Sequence, residues 1–100
     1  MFNDYCSITQ GVKSQVDRDL QLLLLAMIAL MEGEKDSFQI FDINRRKRKT
    51  IITHIQNNPP YKKAYHFSIN FHFVGTIYVI GNDLCRTMML AEEYERGENK

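Results

Sequence analysis

The sequence predicts an α+β fold: one long N-terminal helix packed on a mostly antiparallel four- or five-stranded sheet, followed by a short C-terminal helix. Two patterns carry this. Every residue from Val16 to Glu32 is helix-compatible, and the run contains the longest apolar stretch of the chain, Leu22 to Met31. From Ala64 to Phe73, by contrast, Tyr65, Phe67, Ile69, Phe71 and Phe73 alternate with Ala64, His66, Ser68, Asn70 and His72. That period of two belongs to a strand with one face in the core and one in water. Length sets a third limit. One hundred residues, 44% hydrophobic and 25% charged, fill one core without disulfide or metal staples, so residues 1–100 form a single domain.

In chain order, Tyr5 to Thr9 fits a short strand ending at Gly11. Ser14 and Asp17 are both candidate N-caps for the helix, because their short side-chain oxygens accept bonds from unpartnered backbone N–H groups, and Gly33 supplies the stop. About four turns result. At about 100° per residue, Arg18, Gln21, Leu25, Ile28 and Glu32 share the most polar side. Leu25 and Ile28 interrupt it, so they need cover from the last helix, a second protomer or a target protein. Ser37 to Ile43 and Thr50 to Gln56 are strands joined by a basic segment, a hairpin with positive charge at its tip. Phe38 and Ile40 point one way while Phe41 and Ile43 point the other, which places this strand inside the sheet. Pro59-Pro60 breaks the pattern before the alternating strand. Gly75 to Ile80 gives another strand and Gly81-Asn82 a turn. Asp83 is then an N-cap for the last helix, with Leu84, Thr87, Met88, Ala91 and Tyr94 at helical spacing.

Charge is segregated along the chain. Between Ile43 and Asn82 there is no Asp or Glu, while the same stretch holds seven Lys/Arg and all three histidines. Five of the seven are consecutive: Arg45, Arg46, Lys47, Arg48 and Lys49. The formal net charge of +1 is therefore a cancellation between a +7 middle and a −6 remainder, six Lys/Arg against twelve Asp/Glu. Such a middle attracts anions although the whole molecule is nearly neutral. A hairpin tip with five cations is suited to straddle a phosphate backbone. Lys62 and Lys63 extend the patch, and Tyr61, off the core-facing row, is free to stack on a base. The competing reading is a solvated turn whose charges protect the hairpin from edge pairing.

Other chemistry-bearing residues point to structural roles. His66 and His72 lie six residues apart on one face, roughly 20 Å along an extended strand, so they share no ion. His54 approaches only one of them, and no cysteine or carboxylate has ligand spacing nearby. No metal or cofactor is expected. There is no phosphate-binding glycine loop, metalloprotease helix motif or nucleophile elbow, so no catalytic residue is expected. Glu92 and Glu93 diverge on a helix and form a solvated face. Cys85, near the start of the last helix, fits a buried small hydrophobe better than a reactive thiol. Cys6 and Cys85 make no redox motif, and Met1 to Lys13 lacks the apolar run of a secretion signal, which implies a reduced, cytoplasmic setting. The ten apolar residues Leu22 to Met31 fall short of the roughly 20 a membrane span needs.

An ordered set of motifs runs through the chain: Leu20-Gln21-Leu22-Leu23, Phe38-Gln39-Ile40-Phe41, Pro60-Tyr61-Lys62-Lys63-Ala64-Tyr65, Thr76-Ile77-Tyr78-Val79-Ile80 and Thr87-Met88-Met89-Leu90-Ala91-Glu92-Glu93-Tyr94. In these the chain resembles the small proteins grouped as domain of unknown function 960, from Gram-positive bacteria, their phages and mobile elements. The family's usual acidic residue after the Ile-Tyr-Val-Ile strand is replaced here by Gly81-Asn82. The resemblance implies an α+β fold and a mobile-element context, and brings no catalytic residues. With the basic hairpin, it leads to the expectation of a non-enzymatic binding protein acting on a host protein that handles nucleic acid. An anti-CRISPR-type inhibitor of an RNA-guided nuclease is its concrete form. In that reading Arg45 to Lys49 engage phosphates or an acidic groove, and Leu25 and Ile28 supply an apolar anchor or an oligomer contact through the first helix. The alternative is an accessory protein that binds DNA or RNA directly through the hairpin.

Overall fold

A computed structural model describes residues 6–82 and 84–97. The elements are β1 (Cys6–Ile8), α1 (Gln10–Gln15), α2 (Arg18–Ala29), β2 (Phe38–Arg46), β3 (Lys49–Gln56), β4 (Tyr61–Phe67), β5 (Gly75–Asn82), β6 (Cys85–Leu90) and α3 (Ala91–Arg96). The strands make one sheet in the order β1-β6-β5-β2-β3-β4. β1 runs parallel to β6, and all other neighbours are antiparallel. The α+β class is as the sequence predicts. The sheet has six strands rather than four or five, and the long helix expected from Val16 to Glu32 is the shorter α2, with α1 an unexpected helix before it.

The break falls at Val16 and Asp17. Thr9 caps α1 by accepting the Val12 N–H at 3.4 Å, and Val16 leaves the helix with φ −105 and ψ 126. Ser14, expected as a cap, lies inside α1 and donates to the Gly11 carbonyl at 3.3 Å. Asp17 occupies the N-cap position of α2 without capping it. Its carboxylate instead accepts the N–H groups of His72, at 3.0 and 3.1 Å, and Phe73, at 3.1 Å. A distant loop thus draws the side chain away, and no local propensity reveals that. α2 ends at Ala29 with Leu30 as its C-cap, ahead of Gly33.

α2 lies over the sheet and buries Leu20, Leu24, Leu25, Met27 and Ile28. With Val12 and Val16 these meet Phe41, Ile43, Ile52, Ile77, Val79, Met88 and Leu90 in the core. Leu25 and Ile28, expected as an outward stripe, are only 8% and 2% exposed. The buried arc runs from Met27 through Leu20, Leu24 and Ile28 to Leu25, about 160° wide at about 100° per residue. A broad sheet covers that width, so these residues offer no anchor. The outward side carries Arg18, Asp19, Leu22, Ala29 and Leu30.

Two further expectations are overturned. The alternating strand stops at Phe67, and residues 68–74 leave the sheet as a loop. Phe71 returns to the core at 6% exposure, whereas Ile69 is 56% exposed. Side chains supply the loop's bonds: the buried Thr50 hydroxyl donates to the Ile69 carbonyl at 2.6 Å and accepts the Phe71 N–H at 3.4 Å, while Arg45 donates to the Phe71 carbonyl. Given such partners, the backbone needs no ladder. At the C-terminal end, Cys85–Leu90 is strand β6 and not helix, paired with β5 from Asn82↔Cys85 to Ile77↔Leu90. Asp83, expected as the cap, lies outside the described residues. Gly81 belongs to β5 at φ +130, and a Cβ there would overlap the Cys85 carbonyl oxygen. That close approach lets β6 fold back, and a six-residue apolar run fits either helix or strand by periodicity alone. The helix proper, α3, begins at Ala91 and crosses to the face away from α2. There Tyr94 meets Phe38 at 5.4 Å and Tyr78 at 5.5 Å between ring centroids.

Candidate functional site: the open face of the sheet

Strand register sorts the side chains into two faces. Ile40, Asp42, Asn44 and Arg46 stand opposite Ile55, Thr53, Ile51 and Lys49, and these in turn oppose Lys62, Ala64 and His66 at Ile55, Thr53 and Ile51. All lie on the face away from α1 and α2. α3 covers that face at Phe38 and Tyr78, and Met89, opposite Tyr78 on the same face, is buried too. Ile40, Ile51, Thr53 and Ile55 remain half-buried there, and Arg46, Lys49, Lys62, Ala64 and His66 are exposed. At the hairpin end a groove of about 510 Å³ is lined by Arg46, Lys47, Arg48, Lys49, Ile51 and His66. The aliphatic stems of the cations and Ile51 make its walls, which leaves the charged heads at the rim. Asp42 is the acid that shares this face of β2.

The turn that builds the groove has two central residues, Lys47 and Arg48, between paired Arg46 and Lys49. Lys47 sits at φ 59, a left-handed conformation that glycine, asparagine or aspartate adopts more easily, and a lysine there costs roughly 1 kcal/mol. Backbone geometry therefore does not account for the lysine.

The structure divides the expected site residues. Arg46, Lys47, Arg48 and Lys49 come together, while Lys62 shares their face but stands opposite Ile55, roughly 20 Å along the strand from the hairpin tip. Arg45 points to the helix side and is bound to the Phe71 carbonyl. Lys63 and Tyr61 are corrected: both project to the helix side, because residues 61, 63, 65 and 67 share the face of Gln56, His54, Ile52 and Thr50. Tyr61 is not a free stacking platform. Its hydroxyl lies 3.4 Å from that of Tyr65, its ring meets His54 edge-on at 5.2 Å, and the bond with Tyr65 and burial push its pKa up to about 12. Lys63 Nζ rests 5.2 Å from the Tyr65 ring centroid. With Met27, Leu30, Met31 and Glu32 these residues line a second cleft of about 510 Å³ beside β4.

Under the helices lies a polar cluster that sequence reasoning missed. His54, fully buried, places Nε2 2.7 Å from Gln39 Oε1. Gln39 Nε2 donates to Gln56 Oε1 at 2.7 Å and to the Asp36 carbonyl at 2.8 Å, and Gln56 Nε2 donates to the Pro59 and Glu34 carbonyls at 2.8 and 3.1 Å. Because Gln39 Oε1 can only accept, the imidazole carries its proton on Nε2. Nδ1 is buried without a hydrogen-bond partner, and burial pushes the pKa down to about 4. The ring is neutral and stacks on Phe41 at 4.3 Å. The cluster ties β2 to β3 where Gln39 stands opposite Gln56. Alternation puts Thr50, Ile52, His54 and Gln56 on one face, but the opposite row holds Ile51 and Ile55, so polarity alone does not mark this face as the buried one.

Glu93 and Cys85 also differ from expectation. Glu93 is 7% exposed, not solvated. It accepts the Thr9 hydroxyl at 2.6 Å and the N–H groups of Leu90 and Gly11, each at 2.9 Å. Burial raises its pKa, but these bonds outweigh it and hold the carboxyl below the ordinary range. For Asp17 likewise, burial is outweighed by the His72 and Phe73 N–H groups and its pKa is lowered. Cys85 is exposed at the start of a strand, not buried in a helix. Among the described residues no three His, Cys, Asp or Glu side chains come together as a metal-binding set, and no helix is long and apolar enough to cross a membrane.

These features define an α+β protein with a mixed sheet, two helices on one face, and a second face left largely open beside a basic hairpin. The chain belongs to the family described as Staphylococcal protein of unknown function (DUF960), which it matches over residues 5–93. The resemblance seen in the ordered motifs is thereby borne out. A solved structure of a protein of unknown function from Enterococcus faecalis has the same fold, with a TM-score of 0.75 over 88% of each chain at 19% identity. No curated protein matches the chain.

Proposed function

We propose that this is a non-enzymatic nucleic-acid-binding protein that holds a phosphate backbone against the open face of its sheet. One observation carries the reading: Arg46, Lys47, Arg48 and Lys49 ring a groove floored by Ile51 and edged by His66, with Lys62 further along the same face. Cations clustered on one face release condensed counterions when they meet phosphates, which is the main source of sequence-independent affinity. The +7 stretch from Ile43 to Asn82 contains no acid to cancel them.

Fluorescence anisotropy with labelled duplex DNA, single-stranded DNA and RNA tests this across a salt series. About four phosphate contacts give a log–log salt slope of about −3.6 on duplex DNA. Arg46→Ser with Arg48→Ser flattens it by about two contacts' worth and leaves the thermal midpoint unchanged, because exposed turn residues contribute little to stability. Binding with the same slope in both forms, or no binding to any of the three, overturns the reading. A second reading is an inhibitor seated on a host protein that handles nucleic acid, and the half-buried Ile40, Ile51 and Ile55 favour it, since they form an apolar sheet surface without a helix over it. In that case the double substitution abolishes capture of the partner while free nucleic acid is not shifted by either form.

A further inference from the structure

β4 ends the sheet, and among the described residues no strand pairs with its outer side. Hairpin geometry shows which backbone groups it leaves free. In a hairpin with two central turn residues, the flanking pair, here Arg46↔Lys49, exchanges hydrogen bonds. Even-numbered residues of β2 therefore bond to β3 and odd-numbered ones toward β5. The Gly81 N–H donating to the Ser37 carbonyl at 2.8 Å obeys the same parity. Carried across β3, the alternation points Thr50, Ile52, His54 and Gln56 at Phe67, Tyr65, Lys63 and Tyr61. The backbone N–H and C=O groups of Lys62, Ala64 and His66 then face outward, and all three residues are exposed.

The two flanks of this edge differ in chemistry. On the helix side is the cleft of about 510 Å³ lined by Met27, Leu30, Met31, Tyr61 and Tyr65, with Lys63 and Glu32 at its sides. Leu30 stands at its rim 81% exposed. On the open side the row is Lys62, Ala64 and His66, with no carboxylate on β4 or β3. We propose that the β4 edge is a docking site for an extended, acidic segment of another protein, which adds to the sheet as a seventh strand. Alternate residues of that segment are apolar and enter the cleft beside Leu30 and Tyr65. The intervening residues are acidic and lie beside Lys62 and His66. Main-chain bonds to the outward groups give affinity, and the two rows give selectivity. A second copy of this chain is a poorer occupant, because antiparallel pairing of β4 with β4 about Ala64 sets Lys62 opposite His66 and Lys63 opposite Tyr65 and brings no acid to either row. The site shares Lys62 and His66 with the face proposed for nucleic acid, but the outward backbone groups of β4 and the helix-side cleft belong to it alone.

The test uses the full chain and a fluorescein-labelled decapeptide of alternating Glu and Val, with alternating Lys and Val as control. The acidic peptide binds and the basic one does not. In amide hydrogen exchange followed by NMR, the N–H groups of Lys62, Ala64 and His66 become protected in the complex. Those of Tyr61, Lys63 and Tyr65, already bonded to β3, do not change. Ala64→Pro removes one outward donor and is tolerated on an edge strand, so it weakens peptide binding and leaves the response to nucleic acid intact. If that variant fails to fold, N-methylation of two alternate peptide residues on the bonding side decides the matter without changing the protein. Two lost hydrogen bonds weaken binding about tenfold. No binding, equal binding of both peptides, or binding that leaves the three amides unprotected overturns the proposal. A concentration-dependent dimer protecting the same amides in the absence of peptide overturns it in favour of self-pairing.

Discussion

Lowering the pH from 7 to 4 should destabilise this protein through His54, and the size of the effect can be worked out. The imidazole is neutral in the fold, with a pKa pushed down to about 4 from the ordinary 6.5. Below 6.5 the unfolded chain takes up a proton that the folded one refuses, so folding stability falls as pH falls. The loss begins near the unfolded value and levels off below the folded one. From these two values it amounts to about 1.4 kcal/mol by pH 5.5 and about 3 kcal/mol by pH 4. The structure gives the reason: protonation would place charge on Nδ1, which is buried without a partner. Urea unfolding of the wild type and of His54→Gln, at half-unit steps of pH, isolates the effect. Glutamine can still donate to Gln39 Oε1, now 2.7 Å from the imidazole, and it does not titrate. Contributions from Asp17 and Glu93 cancel in the difference. The wild type's advantage over the variant should shrink by about 3 kcal/mol across the range. Parallel stability curves would refute the argument, because they would mean that His54 titrates alike in both states.

Two further outcomes follow from burial. Phe71→Ala should cost about 3–5 kcal/mol in urea unfolding, whereas Ile69→Ala, at a side chain 56% exposed, should stay within about 0.5 kcal/mol; equal costs would place the 68–74 loop wrongly. Glu93→Gln should cost about 2 kcal/mol at pH 7, since a charged acceptor of three hydrogen bonds is replaced by a group that presents a donor to one of them. Because the folded pKa is depressed, this stability is present above the ordinary carboxylate value and disappears as pH falls through the lowered one. The gap between wild type and variant should therefore close in acid, and a variant as stable as wild type at neutral pH would show that the carboxylate is dispensable.

What the sequence discloses here depends on how local each signal is. The β2–β3 hairpin was legible because its strands, its charged turn and its inward row Phe41 and Ile43 are all set by neighbours in sequence. β5 was legible for the same reason. α1 was not, since Gly11 reads as the end of a strand; Asp17 does stand at the start of α2, but its carboxylate is turned to His72 and Phe73. Ile69 continued the alternation of Tyr65 and Phe67, yet Thr50 and Arg45 take the backbone beyond Phe67 out of the ladder. In β6, six residues satisfied two periodicities, and the close approach of Gly81 to Cys85 decided between them. For the candidate site, the cluster Arg45 to Lys49 was visible as a run of charge. The parity that turns Arg46, Lys49 and Lys62 to one face, and Arg45 and Lys63 to the other, needed the register.

The parallel pairing of β1 with β6 joins Cys6 to Arg86 and Ile8 to Met88, and Glu93 ties α3 to Thr9 and Gly11 across separations of 84 and 82 residues. Contacts this distant in sequence close the largest loop in the chain, and their entropy must be met before they return any stability. On the ribosome, α1 and α2 emerge well before β6, the strand that completes their floor. The β2–β3–β4 meander can pair as it appears. α2 finds Phe41, Ile43 and Ile52 of that meander first, and the rest of its floor, Ile77, Val79, Met88 and Leu90, only when β5 and β6 arrive. A chain stalled before Cys85 therefore holds α1 and α2 over an unfinished floor, and such a half-covered helix is a natural client for a ribosome-associated chaperone.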